Sequence, residues 1–95
     1  MDKIDVENFT SPGHKTRVDA VKYQEMRRAC LAVLPQAEPG MTPAALIEAV
    51  KPLLSQDIFP ESKTAGWWMK CVQLDLEAKG IVTRAAKAPV RLRKV

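Results

Sequence analysis

The sequence is poor in the residues that carry catalysis and metal binding. It has one histidine, His14, and two cysteines, Cys30 and Cys71, with no Cys-x-x-Cys or His-x-x-x-His spacing. A metal centre built from Cys30, Cys71 and His14 lacks a fourth ligand. His14 sits in a Pro-Gly loop with no acid near it in sequence to orient the ring, and reads as an exposed loop residue. No glycine-rich phosphate loop, Gly-x-Ser-x-Gly elbow or His-Glu-x-x-His helix occurs. The expectation is therefore a non-enzyme with no metal, no cofactor and no small-molecule substrate. Long hydrophobic runs are also missing: none approaches the roughly 18 residues that span a bilayer. The start, "MDKIDVENFTSPGHK", has no apolar core of a secretory signal. This predicts a cytoplasmic protein with reduced thiols and no membrane contact. Cys30 and Cys71 both fall on apolar helical faces and read as packing groups.

Acid is absent from the end of the chain. Residues 1–80 carry ten basic and eleven acidic side chains, a net charge of −1, whereas residues 81–95 carry Arg84, Lys87, Arg91, Arg93 and Lys94 with no Asp or Glu, a net charge of +5. The whole excess of positive charge lies there, a pattern that points to nucleic acid or another anionic surface. The bland alternative is a solvated tail. With 95 residues, 46% of them hydrophobic, the chain has material for one domain and one modest core.

Hydrophobic spacing divides that domain. Residues 1–17 are polar and broken by Ser11-Pro12-Gly13, and read as a loosely held arm before a domain over 18–95. A first helix is predicted over about 19–34, capped by Asp19, with Tyr23, Met26, Cys30, Val33 and Leu34 on one stripe. Pro35 ends it. A second, over about 43–55, begins at Thr42-Pro43 and buries Leu46, Ile47, Val50, Leu53 and Leu54, with an early end or kink at Pro52. Ile58 and Phe59 tuck against the core from the connector. A third helix is predicted over about 63–79, stopped by Gly80 in the left-handed conformation. Ala65, Trp68, Met69, Val72 and Leu76 line one of its faces, and Trp67, Cys71, Leu74 and Ala78 a second. Its polar stripe is Gly66, Lys70, Gln73 and Glu77. After Gly80 the period changes to two, predicting strands over about 81–84 and 90–94 around a turn at 85–89, with Arg91 and Arg93 on a wet face.

Three helices followed by a basic hairpin, carried by "TPAALIEAV", "KTAGWWMKCVQLDLEAKGIVTR" and "PVRLRKV", resemble a winged helix-turn-helix domain, a mainly α (α+β) fold with a C-terminal β-hairpin wing. "SPGHKTRVDAVKYQEMRRA" with "GWWMKCVQLDLEAKGI" is similar to an uncharacterised family of small bacterial winged-helix-like proteins. The connector "KPLLSQDIFPESKT" is longer than the three- to four-residue turn of the standard motif. The resemblance implies duplex DNA as partner and a role as a transcriptional regulator. Lys63, Lys70 and Gln73 on the third helix would then read the groove, while Arg84, Lys87, Arg91 and Arg93 contact phosphates. About five neutralised phosphates give a log–log salt slope near −4 to −5. A different expectation is a protein-interaction module or homodimer, in which Trp67, Cys71 and Leu74 form the partner face without nucleic acid.

Overall fold

The computed structural model describes residues 2–11, 13, 15–85 and 87–95. Among them the chain forms three α-helices and two small antiparallel sheets, an α+β arrangement. The first sheet is a hairpin of β1 (Lys3–Glu7) and β2 (Lys15–Asp19) in the segment expected to be a loose arm. Its residues alternate. Val6 and Val18 are buried and Ile4 half-buried, whereas the outward pairs Lys3↔Asp19, Asp5↔Arg17 and Glu7↔Lys15 each set an acid against a base. Such cross-strand pairs favour the register, and Arg17 Nε lies 3.3 Å from Asp5 Oδ1. His14, expected in an exposed loop, lies outside the described residues.

Helix α1 (Ala20–Val33) starts where the Asp19 carboxylate accepts from the Lys22 amide at 3.1 Å. It buries Tyr23, Met26, Ala29 and Cys30. Helix α2 (Pro43–Val50) has the expected Thr42 cap and first-turn proline, and Pro52 sits in a 3-10 turn, Lys51–Leu53, that ends it early. Leu53, expected in the core, is 40% exposed because this turn swings it outward. The connector is pinned instead by polar contacts: Arg28 grips Glu25 with two hydrogen bonds of 2.9 and 3.0 Å. Arg28 also donates to the Leu53 carbonyl, and the Ser55 amide donates to Glu25, both at 2.7 Å. Phe59 then enters the core with no exposure.

Helix α3 (Ala65–Ala78) crosses the middle of the molecule and packs on α1, α2, β1 and β3. Gly80 follows it at φ +75°, as its position after the last turn requires. The chain then turns back into β3 (Val82–Arg84), which pairs with β4 (Leu92–Lys94) in the register Val82↔Lys94, Thr83↔Arg93 and Arg84↔Leu92. A third segment joins this sheet. Met41, between α1 and α2, exchanges hydrogen bonds of 2.8 and 2.6 Å with Leu92. Gly40 makes the approach close, since a Cβ there would lie 2.5 Å from the Leu92 carbonyl oxygen. Leu92, fully buried, plugs the core from the sheet side. No helix among the described residues is long and apolar enough to cross a membrane.

Candidate nucleic-acid interface

Two buried carboxylates determine what α3 shows to solvent. Asp75, fully buried, accepts from the Tyr23 hydroxyl, from the Glu7 amide at 2.8 Å and from the Lys79 ammonium at 2.9 Å. Burial first, then the bond to Asp75, raises the Tyr23 hydroxyl above the usual phenol range. Glu77 takes a two-pronged grip from Arg84, at 2.5 and 2.7 Å, and a longer contact of 3.4 Å from the Gln73 amide. Glu77 and Gln73 are 6% and 2% exposed. The polar stripe expected from sequence is therefore not solvated along its length. Its C-terminal part lies under the returning β3 strand, where a helix-borne acid meets a strand-borne base. Gln73 points into the protein and offers nothing to a groove.

The outer face of α3 is also narrowed from the other side. The Phe9 amide donates to the Leu74 carbonyl at 3.3 Å, so the chain after β1 runs along the C-terminal half of the helix. The Phe9 ring reaches across to within 5.0 Å of the Arg84 guanidinium. Cys71 and Leu74 become half-buried, while Trp67 remains 59% exposed, standing edge-on to Trp68 with ring centroids 4.9 Å apart. Of the expected partner face, then, only Trp67 stands fully out.

At the end of the fold that carries the C-terminal sheet, Arg84, Lys87, Arg91 and Arg93 surround one open groove of about 470 Å³, with Glu38 the acid on its rim. These four are not equivalent. Arg84 is held by Glu77. Arg93 lies 3.9 Å from Glu38 and donates weakly to the Gln36 carbonyl at 3.4 Å. Lys87 and Arg91 have no ion pair among the described residues. Lys94 turns away, its ammonium donating to the Leu31 carbonyl at 3.0 Å near the end of α1. This suits a cation at a helix C-terminus.

The α3 cations divide likewise. Lys70 and Glu77 are seven residues apart, hence only about 20° apart around the axis and about 10.5 Å along it. Lys70 and the Arg84 that clasps Glu77 thus share one side of the helix. Lys63 precedes α3, at the end remote from Gly80, where it is exposed and 3.7 Å from Glu61. Sequence reasoning missed Phe9, whose role depends on a strand and a turn that its own polar surroundings do not announce. Among the described residues no group of three or more His, Cys, Asp or Glu side chains is placed to hold a metal ion.

Fold and site together define a small α+β domain with a basic groove on its C-terminal sheet and one exposed tryptophan on its central helix. The chain belongs to a family of unknown function, DUF6958, which matches residues 3–92. No curated protein and no solved structure matches it.

Proposed function

We propose that this is a winged-helix protein that binds duplex DNA mainly through the sheet end of the fold, in a role such as transcriptional regulation. The reading rests on one observation above the others: Arg84, Lys87, Arg91 and Arg93 converge on a single groove although they come from a strand, a turn and a second strand. The order of elements supports it. The Met41 bridge sets one residue from between α1 and α2 against the β3–β4 hairpin, tying the hairpin to the helices. With Gln73 buried and Arg84 neutralised, phosphate contact outweighs base reading. Two to four phosphates neutralised by Lys87, Arg91, Arg93 and Lys70 give a salt slope of about −2 to −4, shallower than the charge count alone suggests. Mobility shift of a random-sequence duplex across a salt series tests this. Wild type should shift at low salt and Arg91→Glu with Arg93→Glu should not; a wild type that never shifts removes the reading.

The exposure of Trp67 favours a second reading, a self-association or partner module on the same fold. Equilibrium sedimentation of wild type beside Trp67→Ala separates the two, since a monomer in both cases leaves no self-association to explain.

A further inference from the structure

We infer that the Trp67–Lys70 corner of α3 takes an unpaired base of DNA, so that the protein prefers single-stranded DNA over intact duplex. This rests on the reading above that the sheet-end cations hold DNA by its phosphates, and adds a contact that an unpaired strand can make and an intact duplex cannot. Base reading in a duplex groove needs donors and acceptors on an exposed helix face. Here Gln73 is enclosed and Glu77 is held by Arg84, while Cys71 and Leu74 are partly covered. The exposed positions of α3 are Gly66, Trp67, Lys70 and Ala78. They offer a flat aromatic and a cation, the pair of groups by which single strands are held: a ring for stacking and a charge for the phosphate.

Trp67 is placed for that task. Trp67 is 59% exposed, yet its ring abuts that of Trp68 at 79°, and Trp68 in turn meets the fully buried Phe59 at a centroid distance of 6.4 Å. An exposed ring supported on a buried aromatic pair loses little freedom when a base settles on it. Lys70 lies one turn further along the helix, and a hollow of about 210 Å³ opens between Trp67, Lys70, Leu74 and the hairpin residues Asn8 and Thr16. The charge suits a polyanion: Lys70 lines the hollow with no acid beside it among the described residues of the lining, Asp75 is enclosed, and the exposed Lys63 lies 3.7 Å from the exposed Glu61.

The test titrates the full chain at low salt with an oligothymidylate of about fifteen nucleotides and, separately, with a blunt duplex of equal length. The expected result is tighter binding of the single strand, with quenching of tryptophan fluorescence. Trp67→Ala should weaken single-strand binding by roughly 5- to 150-fold, the range for loss of a stacking aromatic. Trp67→Phe should keep most of the affinity, and duplex binding should change less than about twofold. Salt-sensitive binding of both nucleic acids that Trp67→Ala leaves unchanged, or a preference for the duplex, overturns this inference while the DNA-binding reading stands. Binding of the single strand alone, weakened by Trp67→Ala, removes the duplex reading and leaves the inference standing; binding of neither overturns both. A wild-type dimer that Trp67→Ala converts to a monomer, with single-strand affinity unaltered, makes the corner a self-association face and overturns the inference as well.

Discussion

At Asp75 one carboxylate meets donors from three places in the chain: the Tyr23 hydroxyl, the Glu7 amide and the Lys79 ammonium. Removing it leaves a buried hydroxyl and amide without a partner, so Asp75→Ala should cost about 3–5 kcal/mol in urea unfolding. Tyr23→Phe, which deletes one donor and leaves the others, should cost about 1–3 kcal/mol. An Asp75→Ala protein within about 1 kcal/mol of wild type would contradict this account. The sequence offers no sign of it. Read locally, Asp75 is a polar residue late in a helix; its burial depends on partners 52 and 68 positions away. The two tryptophans differ in the same respect. Helical spacing separates their directions, and assigns Trp68 to the core, but whether Trp67 is covered depends on where the hairpin lies.

The three α-helices were legible because each carries an apolar stripe of the right period and a recognisable stop, at Pro35, Pro52 and Gly80. The C-terminal strands were legible from alternation. The N-terminal hairpin was not, although "KIDVE" and "KTRVD" alternate too and their outward charges are complementary. Each strand has too few apolar residues to announce a sheet alone, and the pair is stable only against α1 and α3. The bridge at Met41 was equally hidden, being a single residue whose pairing rests on the close approach at Gly40. Gly40→Ala places a methyl 2.5 Å from a backbone oxygen at φ +85°, where a side chain is strained in any case. A loss of about 1–3 kcal/mol is expected, with faster hydrogen exchange at the Leu92 amide. Unchanged exchange there would mean that the Met41 bridge contributes nothing.

For the molecule as a whole, pH acts from both sides. Burial pushes the Cys30 thiol up to about 12, and burial, then the charge of Asp75, pushes Cys71 up to about 11; Tyr23 is raised as well. These acids stay protonated in the fold after they would ionise in the unfolded chain. Their stabilisation is complete below the unfolded values, about 8.5 for a thiol and about 10 for a phenol, and is lost as pH climbs towards the folded ones. Thermal midpoints should hold between pH 6 and 8, then fall above about pH 9. Glu25 works in the opposite sense. The Arg28 hydrogen bond lowers it despite partial burial, so its contribution is present above the usual carboxylate range and disappears as pH falls through its depressed value. Glu25→Gln should therefore flatten the acid limb of the same melting series.

The last strand holds a further consequence. Leu92 is wholly enclosed, and the amides of Lys94 and Val95 donate to the Pro35 and Ile81 carbonyls. The cationic run is thus stitched into the globule and is no detachable appendage. A protease that clips it off should unravel the remainder, and a premature stop codon near Pro89 should yield an insoluble product in place of a folded one with less positive charge.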